Sequence, residues 1–415
     1  MQETFVCYKL NEKKQKGTVS MKRTIRQLDV KNKKILVRVD FNVPMKNSNI
    51  MSDVRIVAAL PTINYLLEQG ASVILCSHLG RPKGKVNLEF SLLPVAKHLE
   101  TLLKQPILFA TDTIGESAKN LASELKSGQV LLLENVRFYE EEENNDPEFA
   151  IKLASLADCY VNDAFGTSHR EEASMHAVAK LLPNAVGFLV EKELINIQEV
   201  LKAPKRPFVA ILGGAKIEDK LGVIENLLNT VDTLIIGGGM SYTFIKAIGG
   251  KIGHSLVDDS KIEYCYNVIK QAIGKNVKML LPIDDVCNTS FDSVEEPKIF
   301  ASGQLPNEYM ALDIGKKTIK LFKKEIKRAK TIVWNGPLGV FENKFYENGT
   351  KQIAKAVAKS KAFSIVGGGD TIRALEVYNL EEYVNHVSTG GGASLMLLEG
   401  KELPAVSVIE EIIKG

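Results

Sequence analysis

Residues 208–220 read FVAILGGAKIEDK. The apolar run 209–212 ends at Gly213-Gly214, and lysines follow at 216 and 220. A buried strand that stops at glycines and opens a helix gathers bare backbone N–H groups at one spot, where the helix dipole adds partial positive charge. On a helix, positions 216 and 220 would share a face, so both ammonium groups would point the same way. That combination suits a polyanion, most simply a chain of phosphates. An ordinary strand–turn–helix with two solvated lysines carries the same letters, so the rest of the chain must decide.

The pattern repeats on both sides. Short β-branched runs at 35–39, 72–76, 130–133 and 159–161 alternate with helical stretches, as do runs at 209–212, 233–236, 277–281, 331–334 and 363–366. Strands this apolar, separated by helices, belong to parallel sheets covered on both faces. The expected fold is α/β: two doubly wound domains, each a parallel, Rossmann-like sheet, joined by a hinge helix. The connector is the stretch 189–202, whose Val190, Leu194, Ile197 and Leu201 form one apolar helix face before Pro204 and Pro207. The expected division is 21–188, 189–205 and 206–403. Residues 1–20 are polar and lysine-bearing, without the apolar core of a signal peptide, and are expected to be an extension without order or a start-site artefact.

Composition excludes several classes. At ~100–200 residues per domain, a chain of 415 residues has room for two or three. A formal net charge of +3 is too small to argue for nucleic acid or an anionic membrane. No apolar run approaches the ~18 residues a bilayer span needs. Five cysteines, far apart and without a CxxC pair, indicate neither a disulfide framework nor a zinc site, and point to reduced thiols in a cytoplasmic protein. The basic stretch 316–330 carries an apolar stripe of Ile319, Phe322, Ile326 and Ala329, so its lysines read as a solvated helix face. The acidic run 140–143, followed by Asn-Asn-Asp-Pro, reads as a solvated turn.

In open α/β sheets, ligands bind outside the carboxyl ends of the strands. The first half puts Asp40, Asn42, His78, Arg81, Arg137, His169 and Arg170 just beyond such ends, with Arg55 near a helix start. Arginine forks match phosphate and carboxylate oxygens two at a time. Four of them, with no carboxylate evident beside them, ask for a small, multiply charged anion. The second half is glycine-rich at the equivalent places: Gly213-Gly214, Gly237–239, Asn335-Gly336-Pro337, Gly367-Gly368-Gly369-Asp370-Thr371 and Gly390–392. Glycine lets backbone approach a base or a phosphate closely. Asp370 there suits a magnesium ion that rides on phosphates, and Thr371 can donate to a phosphate. No GxxxxGK[ST] loop occurs, and Tyr242 and Ile372 stand where a GxGxxG motif needs its last glycine, which weakens a dinucleotide dehydrogenase. One half reading a small anion and one reading a nucleotide together imply phosphoryl transfer. A dehydrogenase using the second half for NAD, a two-lobed anion binder without activity, and catalysis through a phosphohistidine at His78 or His169 remain as rivals.

The same residues resemble a known family. RVDFNVP (38–44), SHLGRP (77–82), ENVRF (134–138), DAFGTSHR (163–170), GGAKIEDK (213–220), VWNGPLGVFE (333–342), GGGDT (367–371) and STGGGA (388–393) look like phosphoglycerate kinase, in the family's order. The resemblance implies reversible exchange between 1,3-bisphosphoglycerate with MgADP and 3-phosphoglycerate with MgATP, by a hinge-bending monomer without a covalent intermediate. It implies Asp40, Asn42, Arg55, His78, Arg81, Arg137 and Arg170 for the glycerate ligand, and Arg55 and Lys216 around the phosphoryl group in flight. Lys220, Asn335, Glu342, Gly368, Gly369, Asp370 and Thr371 would hold the nucleotide, with Asp370 on Mg²⁺. Gly213, Gly237, Leu256, Leu312, Pro337 and Val340 would line the adenine and ribose pocket, and residues 404–415 would return to the first lobe. Three features depart from the family pattern: residues 1–20 have no counterpart, Glu171-Glu172 stand where a second histidine is common, and Lys316 stands where proline is usual.

Overall fold

The computed structural model describes residues 20–413. The expectation for residues 1–19 lies outside that range.

Two six-stranded parallel sheets carry the chain. The first contains β1 (Lys34–Val39), β2 (Ser72–Cys76), β3 (Ile107–Phe109), β4 (Val130–Leu132), β5 (Cys159–Asp163) and β6 (Asn184–Val186), in the order β3-β4-β2-β1-β5-β6. After it runs a single helix, α1 (Phe188–Lys202). The second sheet contains β7 (Phe208–Leu212), β8 (Thr233–Ile236), β9 (Lys278–Leu280), β10 (Thr331–Asn335), β11 (Phe363–Gly367) and β12 (His386–Ser388). Its order is β9-β8-β7-β10-β11-β12, so the winding reverses between β7 and β10. That reversal opens a crevice beyond the strand ends. The apolar runs form these strands because helices cover both faces: every residue of β2, β7, β8 and β10 is buried. Several of the described strands were not legible in the sequence. The edge strands β3, β6 and β12 are three residues each, and a three-stranded antiparallel sheet (Asp284–Asn288, Lys298–Ala301, Met310–Ile314) sits between β9 and β10 in sequence.

Register aligns the functional ends. Leu212 pairs with both Ile236 and Asn335, Asn335 with Gly367, and Gly367 with Ser388. The glycine turns that follow are therefore level along one sheet edge. In the first sheet Arg38 pairs with Cys76 and Val39 with Asp163, which levels Asp40, His78 and Ala164 in the same way.

The connector α1 is held at both ends of its task. Asp163, closing β5, caps it by accepting hydrogen bonds at Oδ1 from Leu189 N (2.9 Å) and Val190 N (3.4 Å). From its buried face Glu193 takes Thr389 N (3.1 Å) and lies 2.7 Å from His386 Nε2, which fixes the helix to β12. The chain end also returns to the first sheet. Residues Ser20–Lys22 pair antiparallel with Glu411–Ile413, Asn162 Nδ2 donates to Ala405 O (3.1 Å), and Glu410 N donates to Asn184 Oδ1 (2.8 Å).

Three further helices matter below: α2 (Leu221–Leu227), α3 (Lys316–Arg328) and α4 (Gly369–Val377). The basic helix α3 buries Ile319, Phe322, Ile326 and the following Ala329, as its stripe requires. Lys316 stands at its first position, with Asp284 accepting from Lys317 N and Thr318 N, so the missing proline leaves an ordinary capped helix start.

Candidate functional site

Beyond β7, β10 and β11 lies a cavity of about 500 Å³. Gly213, Lys216, Lys220, Asn335, Pro337 and the run Gly368, Gly369, Asp370 and Thr371 all line it. It sits where the winding of the second sheet reverses. The turns that wall it are packed backbone to backbone: a Cβ on Gly213 would lie 2.6 Å from Gly336 O and collide with Pro337 O. Only glycine permits that approach. Thr371 Oγ1 accepts from Gly336 N (2.7 Å), which ties the start of α4 to the β10 turn and leaves the hydroxyl proton to give.

The two lysines reach the cavity by a different route from the one their spacing suggests. Lys216 lies in the turn, exposed; residues Glu218–Lys220 form a single 3₁₀ turn, and α2 begins only at Leu221. They share no helix face. Lys220 Nζ donates to Asn335 Oδ1, and burial lowers its pKa from the ordinary lysine value. Asn335 Nδ2, also buried, has no hydrogen-bond partner among the described residues.

Five expected nucleotide residues are outside this lining. Gly237 is level with Gly213, hydrogen-bonded to Leu212 O, and packs on Leu338. Leu256 touches the Gly239 turn beside Ala215, a cavity residue. Leu312 O accepts from Val340 N (2.9 Å), and Glu342 is exposed two residues on. A second cavity, of about 710 Å³ between α1 and the returning chain end, contains none of the expected residues.

The basic edge of the first sheet is built more elaborately than its sequence suggests. Arg55, in the first turn of the helix Val54–Glu68, donates through Nη1 to both Asp40 oxygens (3.0 and 2.9 Å) and to Asn42 O (3.3 Å). Asn42 Oδ1 takes Gly80 N (2.9 Å) and so holds the SHLGRP turn. Arg137 donates to Gly80 O (3.2 Å) and to Glu172 Oε1 (2.6 Å), and Arg170 donates to the same Glu172 oxygen (3.1 Å). Arg81 is exposed. His78 is buried, 3.3 Å from Arg38 Nη2; burial, then the charges of Arg38, Arg137, Arg170 and Arg55, push its pKa well below the ordinary value. It stays neutral, with Arg55, Arg137 and Arg170 of the expected set, but not Arg81, acting on it together with Arg38.

Two expectations therefore need correcting. The arginines do have carboxylates beside them, Asp40 and Glu172; the first is two residues from Asn42 and the second lies buried, where letters alone give no direction. The acidic run 140–143 is not a solvated turn either: it is a short helix whose Glu142 is fully buried and accepts from Ser174 N (2.8 Å) and Ser174 Oγ (2.5 Å). Arg38 explains it. This fully buried guanidinium donates to Ser174 Oγ (2.8 Å) and has Glu142 at 4.0 Å and Glu172 at 3.8 Å as counter-charges. Burial pushes the Glu142 carboxyl up to about 7, against the pull of Arg38. The signal for Arg38 was present: it is the one charge inside an otherwise apolar strand interior.

The two edges meet around Gly166. A Cβ there would lie 2.7 Å from Asp40 Oδ2 and 3.6 Å from Thr389 O, a residue of the second lobe. Nearby, His169 Nε2 comes to 3.1 Å of where a Cβ on Gly392 would be, and Gly392 is part of the wall of the cavity of about 500 Å³.

A family model described as phosphoglycerate kinase matches residues 25–401. The chain belongs to the phosphoglycerate kinase family. Phosphoglycerate kinases of Clostridium botulinum strain Hall and Clostridium novyi are 51% and 50% identical to it over 393 residues, 94% of this chain and 99% of theirs. The solved phosphoglycerate kinase of Coxiella burnetii superposes with a TM-score of 0.87 at 41% identity, covering 94% of this chain and 99% of that one. That of Pyrococcus horikoshii does so with 0.77 at 34%, covering 93% and 98%.

Proposed function

We propose that this chain catalyses the glycolytic exchange of a phosphoryl group between 1,3-bisphosphoglycerate with MgADP and 3-phosphoglycerate with MgATP. The observation that carries the reading is the meeting of the two sheet edges at Gly166, with arginines on one side and a glycine-walled, lysine-bearing cavity on the other. In this reading Asp40, Asn42, Arg55, His78, Arg81, Arg137 and Arg170 bind the three-carbon acid. Gly213, Lys220, Asn335, Pro337 and Gly368–Thr371 bind the nucleotide phosphates and sugar, and Gly237, Leu256, Leu312, Val340 and Glu342 extend that site toward the base. Magnesium belongs to the nucleotide substrate. Asp370, which shares the cavity wall with Asp219, suits that role, since Mg²⁺ takes few protein carboxylates when phosphates supply the rest.

Chemically the protein positions charge and excludes water. The acceptor is a carboxylate, ionised at neutral pH, so no general base is required. Arg55 and Lys216 neutralise the group in flight, in line, with no covalent intermediate. Placing two phosphoryl-bearing ligands in line contributes on the order of 7–11 kcal/mol. The lobes, residues 21–188 with the tail 404–415, and residues 206–403, close by bending at 189–205, which limits hydrolysis by water. The Glu193 link between α1 and β12 supports this region as the place where such a motion is transmitted. The enzyme works as a monomer and in the cytoplasm, the latter consistent with the four buried free cysteines among the described residues.

The test is an assay with 3-phosphoglycerate, MgATP and the purified protein, coupled to oxidation of NADH. ATP consumption that requires 3-phosphoglycerate is expected. Consumption of neither substrate, with both shown to bind, would overturn the reading in favour of a binding protein.

A further inference from the structure

Glu172 is a buried acid shared by the arginines that read the anion. Its Oε1 accepts from Arg137 Nη2 at 2.6 Å and Arg170 Nη1 at 3.1 Å, its Oε2 lies 3.8 Å from Arg38 Nη2 with no hydrogen-bond partner, and its side chain is 4% exposed. Burial opposes its charge, but Arg38, Arg137 and Arg170 outweigh burial and hold its carboxyl below the usual glutamate value. It is therefore an anion at neutral pH. A negative charge thus sits under a site that reads negative charge.

Orientation accounts for it only at Arg170, whose one side-chain hydrogen bond among the described residues goes to Glu172. Arg137 is independently held by Gly80 O (3.2 Å) and faces Glu143 (3.6 Å). Arg38 keeps Ser174 and Glu142. What Glu172 adds is charge. It satisfies two guanidinium groups while the edge is empty, and it subtracts from the field that any incoming anion feels. A small anion with few oxygens gains too little from arginines already paired. A ligand with a phosphate and a carboxylate has enough oxygens to engage their remaining N–H groups together with Arg55 and Arg81.

We propose that Glu172 is an internal counter-ion, a positioning residue that lowers the general anion affinity of this edge and so sharpens its preference for the multiply charged three-carbon acid. The ligand class rests on the function proposed above; the counter-ion role rests on the geometry of Glu172.

The test is E172Q, in the full chain. Glutamine Oε1 can still accept from both arginines, so the geometry survives and the charge does not. Binding of inorganic sulfate and of 3-phosphoglycerate is measured by calorimetry, with E172H in parallel and urea midpoints as the fold control. Sulfate affinity is expected to rise roughly threefold to tenfold, the scale of one partly screened charge. KM for 3-phosphoglycerate falls by a smaller factor than sulfate affinity rises, kcat stays level or drops as release slows, and sulfate becomes a stronger inhibitor. A merely structural glutamate would give the reverse, a raised KM and weaker sulfate binding; that result, or unchanged sulfate affinity in the folded variant, would overturn the proposal. If E172Q does not fold, E172H above pH 7.5 decides by the same readouts, and loss of folding in both shows a structural role and rejects the proposal. Wild-type protein that binds sulfate but not 3-phosphoglycerate would defeat the functional reading and leave the counter-ion role standing.

Discussion

Replacing Asp163 with asparagine makes stability respond to pH in a way only this site explains. Asp163 ends β5, is fully buried, and caps the connector α1 through Oδ1. Its Oδ2 makes no well-formed hydrogen bond among the described residues. Burial pushes its carboxyl from 3.8 up to about 7, although the Thr62 hydroxyl and then the backbone N–H groups of Leu189 and Val190 pull the other way. A folded-state pKa raised above the unfolded one means the folded protein holds the proton more tightly. The stabilisation is then fully present below pH 3.8 and is lost as pH rises through 7. The shift is 7 minus 3.8, or about 3 units, and at 1.36 kcal/mol per unit it amounts to about 4 kcal/mol. An asparagine at this position would present the same acceptor to α1, and its amide leaves the same spare donor as a protonated carboxyl, but it does not titrate. D163N should therefore match the wild type near pH 4 and gain on it steadily, by up to about 4 kcal/mol, toward pH 8. Glu142 and Asp285, each also pushed up to about 7, titrate in both proteins and cancel in the difference. The measurement is urea unfolding followed by far-UV circular dichroism at half-unit steps. A difference between the two proteins that stays flat from pH 4 to pH 8 would show that Asp163 is ionised in the folded state, and the argument from burial would fail.

Three other changes probe the site and its scaffold. Arg55→Ala removes a side chain that is held by Asp40 yet 39% exposed; turnover should fall by about 10³ or more while the urea midpoint holds, and near-normal turnover would remove Arg55 from the chemistry. Gly213→Ala drives a Cβ into the carbonyls of Gly336 and Pro337, which cannot retreat as a flexible side chain would. Nucleotide affinity should drop by roughly 1–3 kcal/mol with 3-phosphoglycerate binding unchanged, both read by calorimetry. Phe322→Ala empties a fully buried position between α3 and its sheet and should cost about 3–5 kcal/mol, read from the fluorescence of the buried Trp334 during urea unfolding.

The strands were legible because burial on both faces demands continuous apolar runs, and such runs stand out by composition alone. The connector and the basic helix α3 were legible because a helix with one buried face must repeat its apolar residues every three or four positions. The chemistry at the strand ends was legible too, since a parallel sheet exposes its functional groups only where strands stop. The letters did not convey direction. They could not say that Lys216 falls in the turn before the helix, because a short 3₁₀ turn and a first helical turn are written with the same residues. Nor could they say that Glu142 and Glu172 turn inward. Acids belong in water unless a cation waits for them inside, and Arg38 becomes that cation only when β1, the 140–143 helix and the Ser174 segment are brought together from 136 residues apart. The same holds for the meeting at Gly166. Local periodicity fixes which face of an element is buried; what two buried faces or two strand ends confront depends on packing between distant parts of the chain, and only the tertiary structure decides it.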